Sequence, residues 1–273
     1  MRTHNNIFIV MEYPANILSN RDEDPKILNN IENALKERRG FTFSLEHGCP
    51  VVFLISGGLD SMLIMDRLLG EYGCEIYPLY IERGARAGKF EKQCCEKYCE
   101  IYQERYPKLF HSMEVVQMNI PPKEFKLNIG EHRLNTIGHP MRNAVIQSIG
   151  VQYAVSLSSS VDSQIKHVFT ATSPDDTFPH SSLLSLRSLT LMACVDGGDW
   201  GWQISSPLLE PTLWGELTKE DMIRYAVEHD LPLEHTRTCT RGDELACAKC
   251  PECLCRLRAF AGVGIQDPIA YKI

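Results

Sequence analysis

The sequence predicts an α/β protein, a parallel sheet with helices on both faces. Short continuous apolar runs recur along it, among them "VVFLI" at 51–55, "EIYPLYI" at 75–81 and "HVFTA" at 167–171. Strands buried on both faces read this way. Longer helical stretches separate the runs, as crossovers between parallel strands require. With 273 residues, 44% of them hydrophobic and 23% charged, the chain has material for one large domain, or one domain plus a small appendage.

The elements follow in chain order. "IFIVM" at 7–11 reads as a short strand. "DPKILNNIENALKERRG" reads as a helix over 25–39, with Asp24 as N-cap, Pro25 at the first helical position and Gly40 closing it. Ile27, Ile31 and Leu35 fall on one apolar face. Residues 1–48 are thus expected to form an N-terminal extension packed on a core domain of residues 49–235. That core opens with the strand "VVFLI", a glycine turn and an amphipathic helix. "EIYPLYI" and "EVVQM" (114–118) supply the second and third strands. "PMRNAVIQSIGVQYAV" (140–155) reads as a long helix ending in the polar "SLSSS", and "HVFTA" as the next strand. "SSLLSLRSLTLMACV" (181–195) is a helix opened by serine, and "TKEDMIRYAVEHD" (218–230) one opened by a capping-box pair, Thr218 and Asp221. Residues 236–273 form a cysteine-bearing C-terminal segment.

A net charge of −7 argues against a broad nucleic-acid surface, whose affinity rests on lysine and arginine contacts to phosphate. No apolar run approaches the roughly 18 residues that span a bilayer. "MRTHNNIFIVMEYPAN" is too polar for a signal peptide, so the expected location is the cytoplasm, with no membrane association. In that reducing compartment the eleven cysteines are expected as thiols or metal ligands. Cys95 and Cys99, one helical turn apart, read as buried thiols, with only His111 nearby as a further ligand.

Two stretches carry chemistry. In "SGGLDS" (56–61), between strand and helix, Gly57 and Gly58 let the backbone turn sharply and approach an anion. The helix N-terminus adds partial positive charge and free N–H groups, and Ser56 and Ser61 add hydroxyls. Asp60 beside a phosphate calls for a cation between them, which points to Mg²⁺. The stretch is neither a G-x-x-x-x-G-K-[ST] nor a G-x-G-x-x-G loop. In "CTRGDELACAKCPECLC", Cys239, Cys247, Cys250 and Cys253 are spaced to meet around one tetrahedral Zn²⁺, with Cys255 as a spare. Four sulfur ligands leave no open position, so that metal is structural. A redox pair or unligated thiols are the alternatives.

The glycine stretch resembles the S-G-G-x-D-S pyrophosphate loop (PP-loop) of the N-type ATP pyrophosphatases, adenine nucleotide alpha hydrolase-like proteins that cleave ATP between the α and β phosphates. The resemblance implies ATP binding by Ser56, Gly57, Gly58, Leu59, Asp60 and Ser61. Together with C-x7-C-x2-C-x2-C, it looks like the 7-cyano-7-deazaguanine synthase (QueC-like) family over residues 50–271. "HPMRN" is similar to that family's P-G-R-N segment, which makes Arg142 and Asn143 candidate nucleotide or substrate contacts. "LTKED" resembles its lysine-bearing helix start, so Lys219 joins Asp60 and Ser61 as a candidate catalytic group. Arg256 falls three positions after the last zinc cysteine, as in the family. "DDTFPHSS" stands where the family has a Tyr-Pro-Asp-Cys-like pocket segment. Pro179 is kept, His180 and Ser181 replace Asp-Cys, and Asp176 and His180 become candidate substrate contacts.

The resemblance implies an ATP-dependent carbon–nitrogen ligase that adenylates 7-carboxy-7-deazaguanine and passes the acyl group to an amine. That amine is ammonia, in queuosine biosynthesis, or a protein N-terminus, in an antiviral defence relative. The second branch brings a protein substrate or defence partner. The implied partners are otherwise the deazapurine and a second copy of the chain as homodimer. A tRNA sulfurtransferase with the same loop and a non-catalytic nucleotide-binding scaffold are the competing readings.

Overall fold

The computed structural model describes residues 24–126, 129, 138–139, 141–161, 163–176, 178–215 and 217–272. The strand expected at 7–11 lies outside them. Five strands form one sheet: β1 (Pro50–Ile55), β2 (Glu75–Glu82), β3 (Glu114–Gln117), β4 (His167–Thr170) and β5 (Gln203–Ser205). Their order is β3-β2-β1-β4-β5 and every pairing is parallel. The helices are α1 (Pro25–Arg39), α2 (Leu59–Tyr72), α3 (Gly88–Arg105), α4 (Lys123–Lys126), α5 (Arg142–Ser158), α6 (Leu183–Asp196), α7 (Lys219–Glu228) and α8 (Pro251–Val263).

Strand β1 shows why its sequence is apolar without alternation. Side chains of successive strand residues point to opposite faces, and here both faces are covered. Val51, Phe53 and Ile55 pack with residues of α2, α3, α7 and α8, including Met62, Tyr98, Met222 and Phe260. Val52 and Leu54 pack with Leu35 of α1, Ala154 of α5 and Leu186 of α6. Gly150 lets α5 lie close on the sheet: a Cβ there would sit 2.6 Å from Val168 Cγ1 and 3.4 Å from Leu54 Cδ2.

The predicted punctuation is present. Asp24 Oδ1 accepts from the N–H groups of Lys26 and Ile27 at 2.9 and 3.2 Å, and Gly40 closes α1 at φ 85°. Ser182 Oγ accepts from Ser185 N at the start of α6. Thr218 and Asp221 form the reciprocal capping box of α7. Two expectations need correcting. Ile27 is 50% exposed, and of the α1 face only Leu35 is fully buried. Helix α2 is not simply amphipathic; nine of its residues are buried, because α3 and α7 also flank it. Strand β5, three residues long, and helices α3 and α8 were not apparent from apolar periodicity.

Helix α1 is tied to the core by a buried ion pair. Arg187 donates to both carboxylate oxygens of Glu210 at 2.7 Å and to Glu32 of α1 at 3.1 Å. Cys95 and Cys99 are buried, as expected. His111 turns instead to Glu75, at 2.6 Å, and stacks on Tyr77. Among the described residues no helix is long and apolar enough to cross a membrane.

The chain runs outward from β1 through β2 to β3, then returns to the other side of β1 as β4. Open α/β sheets bind ligands at such a reversal, beyond the carboxyl ends of the strands. The glycine turn leaves β1 at that point.

Candidate functional site

Residues 56–61 form a tight turn into α2. Gly57 has φ 76°, a left-handed conformation costly for a residue with Cβ, and a Cβ there would lie 2.5 Å from the carbonyl oxygen of Glu91. Gly58 is the N-cap and brings no side chain to the first-turn N–H groups of α2, leaving that helix end open to an anion. Ser56 Oγ and the buried Ser61 Oγ are 2.9 Å apart. The turn is braced from two sides. Gly57 N donates to Tyr98 Oη at 3.0 Å, and Gly57 O accepts from Arg237 N at 2.7 Å. Leu59 is buried in the core, so only its backbone can serve a ligand. A Gly57→Ala variant is expected to lose roughly 1–3 kcal/mol of stability from the left-handed strain, which denaturant unfolding checks.

Asp60 has a cationic partner within the chain. Lys219 Nζ, at the first position of α7, donates to both Asp60 carboxylate oxygens at 2.6 and 2.7 Å. Burial works against the charged lysine, but Asp60, with Asp176 and Asp175 behind it, outweighs burial and raises its pKa. Lys219 therefore holds its proton throughout the neutral range. Lys219 and Asp60, separated by 159 residues in sequence, meet at the mouth of the turn because α7 packs beside α2 on one face of the sheet.

Beyond the carboxyl ends of β1, β2 and β4 lies a cavity of about 270 Å³. Its wall carries Leu54, Leu79, Ile81 and Ile146, and its polar members include Ser56, Arg83, Arg142, Asn143 and Asp176. Four residues expected to contact substrate, Arg142, Asn143, Asp176 and His180, thus line one cavity, and Ser56 joins it to the glycine turn. Burial, then the nearby Arg83, lowers the Arg142 pKa, while Glu91 and Asp176 raise it less. A desolvated guanidinium beside a second one favours an anionic ligand. Arg142 Nε donates to Asn143 Oδ1 at 3.3 Å, and Arg83 pairs with Glu91 at 3.0 and 3.2 Å. His180 stacks on Phe178, ring centroids 5.3 Å apart. Asp176 Oδ2 accepts from Ser173 N at 3.0 Å.

Arg83, Tyr98 and Gln147 were missed by sequence reasoning. Arg83 stands just past the carboxyl end of β2, a position that could have marked it. Tyr98 and Gln147 lie inside helices and carry no motif.

The sulfur atoms of Cys239, Cys247, Cys250 and Cys253 all lie within 4.8 Å of one another, and all four residues are buried. Cys239 Sγ accepts from Cys247 N, and Cys247 Sγ from Lys249 N and Cys250 N, at 3.2–3.4 Å. Convergent thiols whose charge is met by N–H donors fit a metal ion. Cys255 is exposed and outside the cluster. Arg256 is structural: buried, it donates to both oxygens of Asp267 at 2.7 and 2.9 Å and to Thr236 and Leu233. Arg237 connects the cluster to the glycine turn. Its side chain donates to the carbonyls of Cys239, Arg241, Asp243 and Glu244, while its backbone N–H holds Gly57.

A parallel sheet with an open, glycine-built anion site at its reversal point, next to a four-thiol cluster, defines a protein of the PP-loop class. The model of the family described as Queuosine biosynthesis protein QueC matches residues 50–264, and the chain belongs to that family. The 7-cyano-7-deazaguanine synthase of Chloroherpeton thalassium is 27% identical over 233 residues, covering 81% of this chain and 96% of the relative. That of Acetivibrio thermocellus is 29% identical over 224 residues, with the same coverage. Among solved structures, the U34-tRNA thiolase NcsA from Methanococcus maripaludis with its 4Fe–4S cluster aligns at TM-score 0.44 and 13% identity. It covers 86% of this chain and 72% of that one.

Proposed function

We propose that this protein uses ATP to activate the carboxylate of 7-carboxy-7-deazaguanine and transfers the acyl group to ammonia, giving 7-cyano-7-deazaguanine. The observation that carries the reading is the junction of two sites: a glycine turn with a bound lysine, opening through Ser56 into a cavity that holds two arginines. The relatives named 7-cyano-7-deazaguanine synthase, matched over nearly their whole length, supply the acid.

The first-turn amides of α2, with Ser56 and Ser61, bind the phosphates. Arg142 and Arg83 take the substrate carboxylate and direct one oxygen at the α-phosphorus. That oxygen forms the new P–O bond as the bond to pyrophosphate breaks. Lys219 neutralises the departing pyrophosphate, and such fixed charge stabilises the transition state without reorganisation. Ammonia then attacks the acyl carbon, AMP leaves, and the amide forms. A second ATP activates the amide oxygen, whose loss with AMP yields the nitrile. Holding acid and nucleotide in register supplies much of the acceleration.

Asp60 is the residue that would meet Mg²⁺ carried in by the triphosphate, where the ion adds neutralising charge. The four cysteines would hold Zn²⁺ as a closed crosslink of the C-terminal segment. Residues 1–48, 49–235 and 236–273 then divide as extension, catalytic domain and zinc segment.

Purified protein incubated with ATP, the acid and ammonium is expected to give AMP, pyrophosphate and the nitrile, read by mass spectrometry. A mass increase on an added protein amine, with no nitrile, would move the acceptor to protein and the biology to a defence system. Turnover that needs tRNA and a sulfur donor would replace the reading with thiolation.

A further inference from the structure

We infer that Gln147 reads the heterocycle of the substrate, its Oε1 accepting a hydrogen bond from the N1–H and 2-amino edge. The inference rests on the proposed function, since it takes the cavity as the deazaguanine pocket.

Helix α5 has three buried residues, Gln147, Gly150 and Ala154. Their spacing is the seam of a helix packed on a sheet. Gly150 and Ala154 are small and let the helix approach. Gln147 is the large, polar member, at the end of the seam nearest the carboxyl ends of the strands. It is 1% exposed, yet its Oε1 is buried and makes no hydrogen bond among the described residues. It also lines the cavity.

A buried acceptor without a partner destabilises the ligand-free protein. Packing gives no reason for it, because Leu54, Leu79, Ile81 and Ile146 line the same cavity and a leucine at 147 would match them. The unmet acceptor is therefore explained by something that enters the cavity. That ligand must bring an N–H donor to Gln147. The two cavity arginines can donate but cannot accept, so they suit the carboxylate; of the acceptors in the wall, Asn143 Oδ1 already takes Arg142 Nε and Asp176 Oδ2 takes Ser173 N. The ring of a deazaguanine acid presents N1–H and the 2-amino group as adjacent donors. A site built to hydrogen-bond a substrate discriminates strongly against an analogue that leaves its buried polar group unpaired.

The test measures dissociation constants by calorimetry for wild type, Gln147→Leu and Gln147→Met. The probes are 7-carboxy-7-deazaguanine, its 6-amino analogue lacking both donors, and ATP. Wild type is expected to prefer the guanine-type acid at least about tenfold. Both variants should lose most of that preference while binding ATP as wild type does, and Gln147→Leu should melt no lower than wild type without ligand. An unchanged preference in the folded variants overturns the role of Gln147 while leaving the proposed function standing. A loss confined to ATP overturns it too, by making the cavity part of the nucleotide site. If wild type binds neither acid, the proposed function itself fails, and this inference with it.

Discussion

Lys219→Ala is expected to slow acid-dependent pyrophosphate release by roughly 10²–10³-fold, the scale on which removal of one transition-state-stabilising group acts. The reason lies in the pairing with Asp60. Lys219 Nζ engages both carboxylate oxygens at the mouth of the turn. Without it, Asp60 would present an uncompensated negative charge where the proposed function places the β and γ phosphates. Ground-state repulsion and lost transition-state charge then act in the same direction. Lys219→Arg should rescue poorly, because a planar guanidinium does not replace a point charge in this geometry. The fold should survive, since the Lys219 and Asp60 side chains each keep about 20% exposure. Steady-state pyrophosphate release, with circular dichroism as the control for folding, checks the prediction. Activity within threefold of wild type would remove Lys219 from the chemistry.

Treatment with a chelator, or replacing Cys250 by serine, is expected to lower the melting temperature by on the order of 10 °C, at roughly 2–4 °C per kcal/mol for a chain of this size. The thiols are packed within 4.8 Å, and without a metal they would either protonate or repel. The effect should reach ATP. Arg237 gathers the carbonyls of residues 239, 241, 243 and 244 around its guanidinium and holds Gly57 O through its own N–H at 2.7 Å. Disorder at the cluster would loosen that brace, and ATP affinity should fall about tenfold. Thermal melts and ATP calorimetry, with and without chelator and then with zinc restored, measure both changes. A melting temperature indifferent to chelator would make the cluster a set of packed thiols.

Much of this was legible in the sequence because the signals are local. The run 51–55 is apolar on both faces, so β1 could be read as a central strand. The glycines of 56–61 mark a tight turn out of the strand, and Gly57 takes the left-handed conformation there. Asp24, Pro25 and Gly40 bound α1 by rules of backbone satisfaction. The four cysteines needed only spacing. What was not legible is what the fold joins across distance. The sequence suggested a metal for Asp60 but gave no sign that Lys219 also meets it, from 159 residues away. Tyr98 caps Gly57 from the middle of α3, a helix with weak apolar periodicity. Strand β5 is three residues long, too short for any periodicity. Gln147 looks like an ordinary polar residue on a helix until its burial and its unmet acceptor are seen together.

The central claim is that a carboxylate is adenylated at the turn after β1, with ATP cut between its α and β phosphates. Exchange of labelled pyrophosphate into ATP tests it most directly, because the exchange requires a reversible acyl-adenylate and no acceptor amine. With 7-carboxy-7-deazaguanine and no ammonium, label should enter ATP; omission of the acid should abolish the exchange, and Lys219→Ala should slow it by roughly 10²–10³-fold. Formation of ADP and phosphate in place of exchange, or exchange that proceeds equally without the acid, would contradict the account.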